Sequence, residues 1–324
     1  MVRFNPKARL DQSRMRDGGG GGGGGFGGGV GGGGMRLPIP TGRGGLSTIL
    51  ILVLLFIVAK CAGVDLGLGG GTGGTGGLGS QVYSPTRLSD ADEGSGRYAN
   101  CKTGDDANKS QDCARVAIEN SLTEFWSGQG INNWQPISTL TTFSGSVNTA
   151  CGQATSQVGP FYCPGDGGIF LDTTFFDDVL EAQLGGPDGG FVEFYVLAHE
   201  YGHHISNLLG FMDKVTNQRT GPQSLATRLE LQADCYAGLW AQHATTTEDA
   251  SGEVLILDLT DDDIRLALEA AAAVGDDHIQ KKTQGQTNPE TWNHGSSAQR
   301  MSWFREGYEG GTVKSCDTFS ADKV

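Results

Sequence analysis

Two glycine tracts decide what this chain can fold into. Residues 18 to 34 (GGGGGGGGFGGGVGGGG) are glycine at all but two positions, and GLGGGTGGTGGLG follows at 67 to 79. Such stretches carry almost no apolar surface to offset the entropy of ordering them, so both read as linkers. Of the 324 residues, those left to build a core run from about 91 to 320, which is ample for one domain.

Between the tracts lies LSTILILVLLFIVAKCAGV, residues 46 to 64, with Lys60 as its one charge. Its length just suffices to span a bilayer, and Lys60 sits near an end where it can reach the headgroups. Flanked by glycine, it has no neighbouring element to pack against, which favours a single-pass anchor over a buried helix. Seven Lys or Arg against two Asp or Glu make residues 1–45 net +5, so the rest of the chain carries −19 of the total −14. Basic residues ahead of the span predict a cytoplasmic N-terminus and an extracytoplasmic domain. The expected order is a basic, Gly-rich disordered tail over 1–45, a transmembrane helix over 46–64, a Gly-rich linker over 65–90 and a folded domain over 91–320.

An acidic domain argues against a nucleic-acid partner. The glycine tracts lack the Gly-Lys-Ser/Thr ending of a phosphate loop, which argues against a nucleotide. Cys61 belongs to the membrane boundary. The remaining six, Cys101, Cys113, Cys151, Cys163, Cys235 and Cys316, are an even set suited to disulfides in an exported domain. Six cysteines allow 15 pairings. Pairing nearest neighbours joins Cys101 to Cys113, Cys151 to Cys163 and Cys235 to Cys316, with a buried free thiol at Cys235 as the alternative. No Cys-x-x-Cys is present, so a structural zinc site built on cysteine is not expected.

After residue 80 the pattern is mixed helix and strand. Helical spacing marks 112–126, 189–210 and 222–243, the last with Pro222 in its first turn. Thr260 reads as the cap of a further helix, with Asp261, Asp262 and Asp263 at its positive end. A last helix is expected at 296–308. FYCPGDGGIFLDTTFF (161–176) reads as two strands around a Pro-Gly-Asp-Gly turn, and the edge near residues 168–173 as a place where an extended peptide could add.

Within 196–207, VLAHEYGHHISN holds three of the six histidines. His199-Glu200-x-x-His203 is the spacing of a zinc metalloprotease motif. Residues four apart sit about 40° apart around a helix, so both imidazoles can reach one ion while Glu200 leans over its open side. Such an ion needs a third protein ligand. Glu230, in RLELQADCYAG, can supply it, and Asp234 one turn on can accept the outer N–H of a ligating histidine, His199 in particular. Alone, Glu230 and Asp234 would read as a solvated acidic face. His204 is about 140° from His199 around the helix and is expected to pack or hydrogen-bond instead. His243 and His278 have no companions and read as surface residues. His294, in WNHGSSAQR, is a candidate donor to a developing oxyanion, with an ordinary loop histidine as the competing reading.

HEYGHH followed by ELQADCYAG resembles the gluzincin metallopeptidases, and more closely the membrane-anchored putative neutral zinc metallopeptidase family of bacteria. The likeness extends to the basic, Gly-rich N-terminus, the apolar span, YCPGDGGIFLDTTFFDD and HGSSAQRMSWFREGYEGG. It implies an α+β, zincin-like domain in which the HExxH helix and a ligand helix stand beside a small sheet. It further implies one Zn2+ held by His199, His203 and Glu230, Glu200 as general base, Asp234 supporting a ligand, and a peptide or protein substrate. A non-catalytic, zinc-stabilised scaffold is the alternative, and Glu200 argues against it, since a purely structural site needs no base at an open position. A hydrolase of cell-wall cross-links would use the same residues.

Overall fold

The computed structural model describes residues 2–20, 96–155 and 158–324. The expected transmembrane helix over 46–64 and linker over 65–90 lie outside the described residues. Among those described, no helix is long and apolar enough to cross a membrane.

In chain order, strands β1 (Arg3–Phe4) and β2 (Met15–Gly20) precede helices α1 (Gly104–Ala107) and α2 (Gln111–Ser127). Strands β3 (Leu140–Ser144), β4 (Ser146–Thr149), β5 (Gly152–Thr155), β6 (Phe161–Cys163) and β7 (Gly168–Asp172) come next. A π-helical turn at Phe176–Glu181 leads to α3 (Gly190–Leu208) and α4 (Leu225–His243). The chain closes with β8 (Ile256–Asp258), α5 (Asp261–Ala273), α6 (Asp276–Gln284) and α7 (Ser297–Tyr308).

The architecture is mixed helix and sheet, as expected. The main sheet runs β2-β3-β7-β6, with β2, β3 and β7 parallel and β6 antiparallel to β7. Helix α3 is buried along most of its length because apolar side chains appear on nearly every face of FVEFYVLA, the composition of a helix enclosed by other elements. It packs on α4, which packs in turn on α7. The cap at Thr260 forms as the sequence predicts, with Thr260 Oγ1 accepting from the Asp263 N–H at 3.2 Å and the Asp263 carboxylate accepting from the Thr260 N–H at 3.0 Å. The cysteines are paired 101–113, 151–163 and 235–316, and the last pair ties the C-terminal segment to α4.

Three expectations change. The disordered tail over residues 1–45 does not hold for its first part, because residues 2–20 are strands of the domain and Phe4, Ala8, Leu10 and Met15 are buried in its core. These apolar residues, spaced among charged ones, find partners more than 90 residues away along the chain, beyond the reach of local periodicity. Residues 168–173 are not a sheet edge, since β7 lies between β3 and β6; the edge on that side is β6. Helix α4 starts later than Pro222 implies, because Ser224 caps it by accepting from the Thr227 N–H.

Candidate metal centre

Two adjacent helices build the site. His199, Glu200 and His203 lie on α3, and Glu230 and Asp234 on α4. Their separation is set at Gly202, where a Cβ would stand 2.9 Å from the Ala233 backbone. The small residue inside HEYGH thus lets α4 approach closely enough to bring Glu230, one turn before Ala233, against both histidines.

The ligand atoms of His199, His203 and Glu230 all fall within 4.8 Å of one another. His199 Nε2 is 3.3 Å from one Glu230 oxygen, and His203 Nε2 is 3.6 Å from the other. Tetrahedral zinc with ligands ~2.0–2.1 Å away would hold neighbouring ligand atoms about 3.3 Å apart. The spacing is therefore that of a cage, wider than a good hydrogen bond. Two imidazoles and one carboxylate, all buried, are a donor set suited to zinc.

Asp234 fixes the first histidine. Its Oδ1 lies 2.8 Å from His199 Nδ1, accepts from Tyr195 Oη at 2.6 Å, and is bonded by Arg300 Nη2 at 2.9 Å; Arg300 Nε reaches Oδ2 at 2.8 Å. Burial would raise the Asp234 pKa, but the Arg300 and His199 charges outweigh it and hold the carboxyl well below its usual range. An ionised carboxylate only accepts, so the His199 proton sits on Nδ1 and Nε2 is left to a metal. His203 differs: its Nδ1 is buried with no hydrogen-bond partner among the described residues.

The other charges follow the same logic. Burial would lower the His199 pKa, yet Asp234 and Glu230 override it and push the imidazole up to about 10. Burial would raise Glu230, but His203 and His199 hold it well below the ordinary value. Glu200 is raised, burial prevailing over the two histidines, with the Tyr162 backbone hydrogen-bonded to it. At neutral pH the metal-free His199 therefore carries a proton that a metal must displace. We expect metal uptake near pH 7 to release about one proton and apparent affinity to rise with pH. Calorimetry in buffers of different ionisation enthalpy measures this, and uptake without proton release would refute it.

His294 lines the same cavity as the ligands. Its Nδ1 is 3.3 Å from Asp276 Oδ1, while Asp276 Oδ2 accepts from the backbone N–H groups of Asn293, His294 and Gly295 at 2.7–3.0 Å. The loop histidine is thus held by the first residue of α6. Burial lowers its pKa, but Asp276 and Glu230 raise it further, so the net shift is upward. His204 is outside the cluster, between the Gln135 carbonyl (2.8 Å) and Tyr162 Oη (3.1 Å). His243 stacks on Phe125. His278 is more than a surface residue, since its Nε2 contacts the Leu184 carbonyl at 2.8 Å and fastens the cavity wall to α6.

Sequence reasoning missed Arg300, Tyr195 and Asp276. Tyr195 lies one turn before His199 and could have been read from that spacing. Arg300 and Asp276 carry no such signal, being placed only by the packing of α7 and α6. The cavity lined by His199, Glu200, His203 and Glu230 measures about 160 Å3, and its other walls are apolar: Val179, Leu184, Val196, Leu229, Val274 and Ile279 among them.

A paired-helix His-His-Glu cage, with a buried carboxylate beside it and an apolar cleft in front, defines the class: a candidate zinc centre open to a ligand. The chain belongs to the family described as putative neutral zinc metallopeptidase, whose model matches residues 8–319. An uncharacterized protein of Mycobacterium tuberculosis strain H37Rv is 51% identical over 222 residues, 68% of this chain and 75% of its own length. The uncharacterized protein YpfJ of Escherichia coli K12 is 41% identical over 185 residues, 56% of this chain and 61% of its own. No solved structure matches.

Proposed function

We propose that the protein is a zinc-dependent endopeptidase of zincin-like architecture, with Glu200 as general base and His199, His203 and Glu230 holding one zinc ion. The observation that carries this reading is a base beside the cage: Glu200 adjoins two ligands, lines the cleft, and is buried enough to hold its proton more tightly than an ordinary carboxylate. Zinc bound there would supply a Lewis acid for the scissile carbonyl and acidify water. Glu200 takes the proton from the attacking water and returns it to the leaving nitrogen. His294, its Nδ1 turned to Asp276, offers Nε2 as a donor to the carbonyl oxygen. The apolar cleft accepts one large apolar side chain beside the scissile bond, desolvating it at a gain of about 1.5–3 kcal/mol. Three disulfides support work outside the cytoplasm, and the apolar run at 46–64 supports attachment to a membrane.

The test is cleavage of a mixed peptide set by the full chain, read by mass spectrometry. New termini should appear beside large apolar residues, vanish on chelation and return with zinc. Cleavage indifferent to chelation would sink the metal mechanism. Cleavage without apolar preference would remove the role given to the cleft.

A further inference from the structure

The N-terminal segment is seated in the domain as if built into it. Phe4 is 3% exposed and meets Phe194 of α3 edge-on, with ring centroids 5.9 Å apart. The Asn108 side chain bonds both the Phe4 N–H and the Phe4 carbonyl at 2.9 Å, and Asn120 does the same for Asp11 at 2.7 and 2.8 Å. The Gly104 N–H reaches the Ala8 carbonyl at 3.0 Å, and the Leu10 N–H reaches the Lys102 carbonyl at 2.9 Å. At Gly104 a Cβ would stand 1.9 Å from the Asn5 carbonyl oxygen, so the domain has room for this backbone only because the residue there is glycine. Strand β2 then extends the main sheet in parallel with β3.

The charges interlock as well. Glu119 on α2 is fully buried, and Arg14 forks onto it with Nε to Oε1 at 2.6 Å and Nη2 to Oε2 at 3.2 Å. Thr123 joins Glu119 to Tyr201, the neighbour of Glu200. A buried carboxylate that loses its cation is strongly destabilising, so the domain depends on a residue that precedes the apolar run. The two ends of the intervening stretch also meet, with Arg97 Nη1 3.7 Å from Asp17 Oδ1.

We propose that residues 2–20 dock in the domain's own groove as a permanent part of it, and that both therefore lie on the same side of any membrane. This opposes the arrangement predicted from the basic N-terminus, in which a single crossing by residues 46–64 would put Arg14 and Glu119 on opposite faces. Nor are 19 residues enough to cross and return, since one crossing alone takes about 20. The basic residues that suggest cytoplasmic retention have, in Arg14, a structural partner instead.

Two measurements on the full chain decide it, in a Cys61→Ser background. Lys7→Cys and Glu124→Cys, both at exposed positions, are labelled with a membrane-impermeant maleimide in sealed vesicles of known sidedness. Labelling from one shared face is expected, and labelling from opposite faces overturns the proposal. Which face it is tests the exported placement separately. The second measurement is thermal: Arg14→Glu should lower Tm by roughly 10 °C, and adding Glu119→Arg should recover part of the loss. An unchanged Tm in Arg14→Glu would overturn the docking even with both cysteines on one face. Should Arg14→Glu not fold, recovery of folding in the double variant supports the proposal.

Discussion

Arg300→Met should destabilise the metal-free protein by about 1.5–3 kcal/mol, the usual worth of hydrogen bonds to a charged group, because the protonated His199 still faces Asp234. Asp234 is fully buried, and Arg300 bonds both of its oxygens; methionine keeps much of the volume and removes the charge. Tyr195 and His199 would be left with a carboxylate whose pKa has risen, so His199 loses a fixed orientation. Metal affinity should fall 10–100-fold, as when other supports of a ligating histidine are removed. The acid limb moves too. A depressed carboxylate stabilises the fold above its unfolded pKa, ~3.9, and that contribution disappears as pH falls through the folded value. Weakening the depression in Asp234 moves the loss toward milder acid. Denaturant unfolding at pH 4 and pH 7, with a zinc competition titration, measures all three. Wild-type stability together with wild-type affinity would mean that Arg300 merely fills space.

Why some of this was readable in advance comes down to range. His199, Glu200 and His203 lie within one turn and a half, so helix geometry alone puts them on a common face. Glu230 and Asp234 repeat the same spacing on a second helix, and two such patterns in one chain narrow the options sharply. Thr260 and Asp263 form a cap within four residues, and β6 and β7 meet across one short turn. Arg300 is different. Its partner is 66 residues earlier, and SSAQRMSWFREGY reads as an ordinary amphipathic helix until α7 is laid against α4. Asp276 resembles any first-turn carboxylate of a helix until the His294 loop folds over it.

The N-terminal segment shows the opposite error. Its charge and its glycine neighbours make the pattern of a disordered tail, and Phe4, Ala8, Leu10 and Met15, all in the core, are too few to form an apolar period. Composition averages over a window, whereas docking depends on individual side chains meeting particular pockets. The orientation rule for basic residues works by the same kind of count, and it takes no account of a buried Glu119 that already claims Arg14.

Glu200→Gln is the substitution that separates catalyst from scaffold. Glutamine is isosteric, keeps an oxygen to accept from the Tyr162 backbone, and relieves the cost of a buried carboxyl, so the fold should hold. The three residues proposed to hold zinc, His199, His203 and Glu230, are untouched, so zinc should bind with near wild-type affinity. What is lost is the ability to take and return a proton, which is worth about 10^2–10^4 in rate for a positioned general base. Peptide cleavage should therefore drop by that factor while metal content, measured on the same sample, stays constant. A scaffold predicts no difference between the two proteins in either measurement. If the variant cleaves as fast as the wild type, proton transfer runs through another group, and His294, held by Asp276 in the same cleft, becomes the residue to replace next.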